Sequence, residues 1–121
     1  MALLGSGPVH ANPDREQARV LYKSAMVDMA AGEYLRAALG FDAASRFIPN
    51  GILLWNAARA YHRAGALAKA QERYYSCLEA ADLPASRKQQ AAVHLVTVET
   101  TLRATSPRAT LLARIPKRSP L

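Results

Sequence analysis

The chain has 121 residues, half of them hydrophobic, and carries a formal net charge of +7 with one cysteine, Cys77. This length suits one modest helical domain and excludes a catalytic domain with a separate cofactor lobe. The lone cysteine excludes an internal disulfide and a thiolate-rich metal site, and no apolar run approaches the roughly 20 residues that a membrane-spanning helix needs.

The N-terminal segment, residues 1–12, is short, uncharged and rich in small residues. Val9, His10 and Ala11 resemble a signal-peptidase site, but no basic segment precedes them and Ala2 to Leu4 is too short for a complete hydrophobic region. Residues 1–12 are therefore either a flexible leader or the remnant of a signal peptide. Two compartments therefore stay open: the cytoplasm for a flexible leader, and the periplasm or cell envelope for a signal-peptide remnant.

Residues 13–104 read as a succession of five helices. Asn12 suits the cap of the first, and Pro13 suits its first position. Gly32 and Gly65 suit helix stops, because glycine adopts the left-handed conformation without steric cost. Helical spacing and these breaks predict helices over about 13–31, 33–47, 52–65, 67–81 and 87–104.

Residues 105–121 form a basic tail with no sustained period, which we expect to be flexible. Of the 16 basic residues in the chain, five lie late, and no acidic residue follows Glu99. Without those five, 11 basic residues stand against 9 acidic ones, so the body is close to neutral at +2. The five late basic residues are Arg103, Arg108, Arg114, Lys117 and Arg118.

The first unit, which is the first two predicted helices, shares a residue pattern with the second unit, the next two. Residue types recur at one fixed spacing, the separation between Gly32 and Gly65, across the same helix-turn-helix break. This spacing, the repeat interval, indicates an internal repeat. Small alanines at fixed positions let helices approach closely, and an aromatic residue fills the remaining gap. The recurring pairs are Gly32 and Gly65, Ala37 and Ala70, Phe41 and Tyr74, and Ala44 and Cys77.

The residues of the second unit resemble the tetratricopeptide repeat, a helix pair of about 34 residues. Leu54, Ala57, Ala58 and Tyr61 fall where that family places the packing residues of its first helix. The first unit matches in its second half, from Gly32 to Pro49. The chain departs from the pattern at Asp28, where an aromatic is expected, and at Asp82, where the closing proline is expected. The resemblance implies an all-α, α-α superhelix of two helix-turn-helix repeats, with the helix over 87–104 as a cap.

In that family the first helices of successive repeats line a concave groove that holds an extended segment of a partner protein. Carried over to this chain, the resemblance implies a non-catalytic adaptor that captures a protein or peptide in a groove formed by the first, third and fifth helices. Asn56 would bind the partner's backbone, and the basic residues would suit an acidic segment. The implied groove residues are Lys23, Met26, Trp55, Asn56, Arg59, His62 and Arg63, flanked by Tyr22 and Met29.

Catalysis, metals and cofactors find no support in the residue pattern. His10, His62 and His94 are dispersed, with no second ligand at metal spacing and no carboxylate pair beside them. The glycines suit helix stops or packing sites and form no phosphate-binding loop. Cys77 occupies a packing position and is expected to behave as a small hydrophobic residue.

Two other interpretations stay open. The chain could be a scaffold that dimerises through its open N-terminal face and has no peptide ligand, because two repeats plus a cap are a short array. Alternatively the basic tail could bind an acidic surface or nucleic acid, although it has no aromatic residue to stack on bases. The Ala- and Arg-rich composition resembles bacterial, envelope-associated or secretion-related members of the repeat family.

Overall fold

The computed structural model describes residues 12–115, which are all-α and contain no strand. The all-α prediction is confirmed, and each helix packs against the next one along the chain. Among these residues no helix combines the length and hydrophobicity needed to cross a membrane. The helices are α1 Pro13–Ala30, α2 Tyr34–Phe47, α3 Gly51–Ala64, α4 Leu67–Glu79, α5 Ala85–Thr105 and α6 Pro107–Ala113.

The first unit (α1 and α2) and the second unit (α3 and α4) both begin at an asparagine cap. The Asn12 side-chain oxygen accepts hydrogen bonds from the amides of Asp14 at 2.9 Å and Arg15 at 3.2 Å. The Asn50 oxygen does the same for Ile52 at 2.7 Å and Leu53 at 3.3 Å. These bonds satisfy amide groups that have no partner inside the helix, which fixes where each unit starts.

The two glycine stops are confirmed, and they form the same turn. Gly32 and Gly65 both have φ of +80°, the left-handed region in which a side chain is strained. The amide after each glycine bonds back to a carbonyl: Glu33 to Asp28 at 2.8 Å, and Ala66 to Tyr61 at 2.9 Å. This is the Schellman arrangement, in which the glycine allows the last carbonyls of the helix to be satisfied.

The residue pairs that recur at the repeat interval, apart from the glycines, are buried in the core. The pairs Ala37 and Ala70, Phe41 and Tyr74, and Ala44 and Cys77 are all at most 1% exposed. Burial raises the pKa of the Cys77 thiol to about 11, as expected for a packed, unreactive thiol.

The repeat interval also reaches the aromatic contacts and the fifth helix. The Tyr22 and Phe41 rings lie 5.9 Å apart, and their counterparts one interval later, Trp55 and Tyr74, lie 6.2 Å apart. Ala25, Ala58 and Ala91 recur at the same interval and are 1%, 0% and 0% exposed. The same alanine position is therefore buried in α1, α3 and α5.

A buried carboxylate joins α2, α3 and α4. Both Asp42 oxygens accept hydrogen bonds from the Arg73 guanidinium, at 2.8 and 2.9 Å, and Tyr61 donates to one of them at 2.6 Å. Burial raises the pKa of Asp42, but the hydrogen bonds from Arg73 and Tyr61 and the charge of Arg73 outweigh it, so the pKa lies below its ordinary value. The two units are thus tied together by a paired internal charge.

Asp82, at the position where the repeat pattern expects proline, has a bonding role instead. Its carboxylate oxygen accepts a hydrogen bond at 3.0 Å from the amide of Gly51, the first residue of α3. A Cβ at position 51 would lie 2.8 Å from that oxygen, so the contact requires glycine. The end of the second unit is therefore fixed to its own beginning.

The C-terminal region differs from the prediction. α5 extends from Ala85 to Thr105, and residues 107–113 form the short helix α6, where the sequence predicted no regular structure. Pro107 both ends α5 and suits the first position of α6, because proline lacks only an amide that would be unpaired there. The predicted tail residues Lys117 and Arg118, and the predicted leader 1–11, lie outside the described residues.

Candidate functional site

A polar cavity of about 240 Å³ lies between α3 and α5, with one wall from α4. Its α3 residues are spaced by three or four positions, so they project from one face of that helix. The α5 residues have the same spacing and face them. The residues lining this α3–α5 cavity are Trp55, Arg59, His62 and Arg63 from α3, Tyr74 from α4, and Arg87, Gln90 and His94 from α5.

Trp55 forms a buried part of the cavity wall and is only 2% exposed. The guanidinium carbons of Arg59 and Arg87 lie 5.6 and 5.7 Å from the centre of its ring, within the range of cation–π attraction. Its indole nitrogen is buried and has no hydrogen-bond acceptor within residues 12–115. The ring therefore holds two arginines from different helices in one place and keeps one donor unused.

The cavity carries positive charge that nothing in its wall neutralises. Arg59, Arg63 and Arg87 line it, and no carboxylate does so among the described residues. Burial lowers the pKa of Arg59, and the charges of Arg63 and Arg87 lower it further. Because the ordinary arginine pKa lies far above neutrality, Arg59 stays charged even with a lowered pKa. Such a set of forked donors is suited to an oxyanion.

Two histidines and a tyrosine complete the polar wall. The His62 Nδ1 lies 3.1 Å from the Tyr74 hydroxyl, and the His62 and His94 rings have centres 5.8 Å apart. His94 also stacks on Tyr74 at 5.9 Å with an interplanar angle of 22°. Burial lowers the pKa of His62, with a further contribution from His94, while burial raises the pKa of Tyr74 to about 12. Near pH 7, His62 and Tyr74 are both neutral.

This arrangement corrects the prediction that the histidines are dispersed. His62 and His94 are far apart in the chain, and they meet because α5 packs beside α3. Within residues 12–115 no three His, Cys, Asp or Glu side chains approach closely enough to hold a metal ion. His10, the third histidine, lies outside the described residues.

The structure brings together four of the seven predicted groove residues: Trp55, Arg59, His62 and Arg63 line the α3–α5 cavity. Asn56 is half-buried next to Trp55 but is not part of the cavity wall. Lys23 and Met26 are exposed on α1 and lie outside that wall.

The flanking residue Tyr22 belongs to a different concavity. That concavity has a volume of about 430 Å³ and a mostly apolar wall, formed by α1, the α2–α3 connection and the start of α3. Arg15 and Arg19 contribute its basic groups.

Sequence reasoning placed the fifth helix in the groove but did not identify Arg87 and His94, and it missed the contribution of α4. Tyr74 was expected to be a packing residue, and it is fully packed, yet its hydroxyl reaches His62. Arg87, Gln90 and His94 stand at positions three and four apart, a spacing that places them on one side of α5. That spacing was the available signal for them.

Comparison with known proteins found no match to this chain among family models, curated proteins or solved structures. The likeness to the tetratricopeptide repeat rests on its residues and their spacing.

Proposed function

We propose that this chain is a non-catalytic interaction module that captures an acidic segment of a partner protein at the α3–α5 cavity. The observation that carries the proposal is the convergence of Arg59, Arg63 and Arg87 on a cavity without a lining carboxylate. Lone surface arginines are ordinarily solvated or paired. Three that share one concave site, with no carboxylate partner within residues 12–115, leave electrostatic attraction for an incoming anion.

The shape of the site supports a side chain rather than a large surface as the anchor. A volume of about 240 Å³ is enough for a carboxylate and the side chain that bears it, with the rest of the segment outside. Trp55 and Tyr74 are buried, so the wall is held before the ligand arrives. A preorganised site loses less conformational entropy on binding, which favours affinity.

The architecture proposed for the module is an α-α superhelix of the tetratricopeptide kind. The repeat interval in the core, the repeated glycine turn and the alanine at position 91 support it. In such an array a bound segment lies against the face formed by α3 and α5. Asn56, the residue after Trp55, would bind the backbone of that segment.

The experiment uses Trp55, the only tryptophan in the chain, as an internal reporter. A peptide rich in Asp and Glu is titrated into the full chain, and tryptophan fluorescence is recorded over a salt series. We expect saturable binding that weakens as salt screens the charges, and no binding of the same peptide with Asn and Gln in place of Asp and Glu.

A tail variant separates this site from the alternative of binding through the basic tail. In it, Arg108, Arg114, Lys117 and Arg118 are all changed to Gln. We expect the acidic peptide to bind this variant about as well as the original chain. Loss of binding in the tail variant, or equal binding of the neutral peptide, would contradict the proposal.

A second candidate function, self-association of a scaffold, is favoured by apolar side chains on the first unit. Val20 and Val27 on α1 are 52% and 68% exposed, and Leu35 and Leu39 on α2 are 54% and 55% exposed. Each pair lies on one side of its helix, because its two members are separated by one or two helical turns. This candidate would be supported if the mass of the original chain in solution rises with concentration while the mass of Val27→Lys stays at that of the monomer.

A further inference from the structure

We infer that the α3–α5 cavity is a receptor for one oxyanion, a carboxylate or a phosphoryl group, and that binding is coupled to uptake of a proton by His62, which lies beside His94. The inference rests on the proposed function and adds to it the chemical class of the ligand group and a dependence on pH. It is carried by the placement of these histidines among the arginines of the cavity.

The anion-binding part follows from donors that have no acceptor. Arg59 and Arg87 approach the Trp55 ring from two helices, and Arg63 adds a third guanidinium. None of the three forms an ion pair within residues 12–115, where the paired guanidinium groups are those of Arg19 and Arg73. A guanidinium can donate two parallel hydrogen bonds to one carboxylate or phosphate, so two of them suffice to hold an oxyanion.

The proton-coupled part follows from the contact between His62 and Tyr74. With a neutral His62 ring protonated at Nε2, Nδ1 accepts the hydrogen bond from the Tyr74 hydroxyl across 3.1 Å. When the ring becomes an imidazolium, Nδ1 must donate, so the tyrosine oxygen becomes the acceptor. The tyrosine hydrogen is then released to point elsewhere. One proton therefore adds a positive charge and frees one further donor for an anion.

The groups around His62 set the direction of the coupling. From α3 it faces Arg59 and Arg63, from α4 the neutral Tyr74, and from α5 His94 and Arg87. On the α2 side, Arg63 stacks on the ring of Tyr34 at 5.7 Å. Burial and the neighbouring His94 oppose protonation of His62 before an anion binds, and no carboxylate in the described wall offsets them.

A bound oxyanion reverses that balance. Its negative charge raises the pKa of His62, so binding takes up a proton, and by linkage affinity rises as the pH falls. The window runs from neutrality down through the His62 pKa, which lies below its ordinary value. Each pKa unit by which the anion raises a histidine strengthens binding at low pH by at most about tenfold.

The test titrates the full chain with sodium sulfate and, separately, with sodium acetate, at constant ionic strength set with sodium chloride. Sulfate keeps its charge across the range and represents a tetrahedral phosphoryl group, while acetate represents a carboxylate. Trp55 fluorescence reports binding, and NMR of the imidazole protons reports histidine protonation. We expect sulfate to bind about fivefold more tightly near pH 5.5 than near pH 7.5, with the histidine signals titrating at higher pH when sulfate is present.

Four variants, one of them a control, separate the contributions. Arg59→Gln combined with Arg87→Gln should abolish sulfate binding at every pH, while Arg36→Gln on α2, outside the cavity, should leave it unchanged. His62→Gln should remove most of the pH dependence. Tyr74→Phe keeps the ring and should weaken the low-pH binding. Circular dichroism of each variant checks that it is folded.

The outcomes distinguish the inference from the proposed function. Acidic-peptide binding with a sulfate affinity that does not change with pH would overturn the proton coupling and leave the module intact. Acidic-peptide binding without any sulfate or acetate binding would overturn the single-oxyanion receptor. Absence of both kinds of binding would overturn the proposed function as well. Preference for acetate over sulfate would assign a carboxylate, and the reverse a phosphoryl group.

Discussion

The two units pack in the same way, but on one face the first unit has apolar side chains where the second has polar and charged ones. At positions separated by the repeat interval, the first unit has Tyr22, Met26 and Met29 where the second has Trp55, Arg59 and His62. The aromatic member of each set makes an equivalent ring contact in its own unit. An aromatic position for packing is thus kept, while the positions beside it change from thioethers to a guanidinium and an imidazole.

The facing helix changes in the same way. α5 presents Arg87 and His94 to the cavity, and the residues one repeat interval earlier, on α3, are Leu54 and Tyr61. Tyr61 is committed to the buried Asp42, so it serves stability. The repeat therefore fixes which positions pack in the core. The side chains on the face outside the core can differ from one unit to the next without disturbing that packing.

The largest effect is expected from the shared aromatic position in the core. Phe41→Ala and Tyr74→Ala each remove a buried ring that is at most 1% exposed. Each should lower the free energy of unfolding by about 3–5 kcal/mol, because burial is lost and a cavity remains. Urea denaturation measures it.

If the two units are equivalent in packing, these losses agree to within about 2 kcal/mol, the spread seen between sites for one type of substitution. Tyr74→Phe, which keeps the ring, should be far milder. A large loss at one position beside a negligible loss at the other would break the equivalence.

The next effect concerns the charge that joins the two units. Asp42→Ala leaves the Arg73 guanidinium and the Tyr61 hydroxyl without their acceptor, and should cost about 3 kcal/mol. Glu99→Ala, the same truncation at a carboxylate that joins α4 and α5 through Gln71 and Tyr75 near the surface, should cost much less.

The pH dependence of stability gives the same network a second readout. The folded pKa of Asp42 lies below its ordinary value, so its contribution is present above the pKa of the unfolded chain. It is lost as the pH falls through the lower, folded value. We expect the stability of Asp42→Asn to fall less with acid than that of the original chain. An unaltered acid unfolding curve would show that the pairing of Asp42 with Arg73 stabilises the fold little.

The smallest effect is expected at the glycine turns. Gly32→Ala and Gly65→Ala place a side chain at φ of +80° with no neighbour within 4 Å of the new Cβ, so strain in the backbone is the only cost. Each should lose about 1 kcal/mol, measured by thermal unfolding. Unequal losses would show that the two turns, despite their shared geometry, are not equivalent.

Much of the fold could be predicted because its signals are local or periodic. The glycine stops, the Asn12 cap and the buried pairs at the repeat interval follow from residue type and spacing. The pairing of Asp42 with Arg73, and of His62 with His94, could not be predicted in the same way. Each joins residues that are distant in the chain, and only the relative placement of the helices decides whether their side chains meet.

Only the α3 side of the candidate site was predicted in detail, because its two walls come from helices that are distant in the chain. Residues of α3 such as Arg59 and His62 were placed in a groove through the family resemblance, which marks one face of that helix. The opposite wall comes from α5, which lies beyond the two matched units. Helix α6 was missed because residues 105–121 have no sustained helical period, although Pro107 suits a helix beginning.

The most direct test of the account uses two variants at equivalent positions, Arg59→Glu in the cavity and Met26→Glu on α1. Both place a glutamate at the same point of the repeat, and acidic-peptide binding is measured for each by tryptophan fluorescence. The account predicts that Arg59→Glu abolishes binding and that Met26→Glu retains it. Equal loss in both variants, or full binding in Arg59→Glu, would contradict the claim that the site lies on the second unit and α5 and not on the first unit.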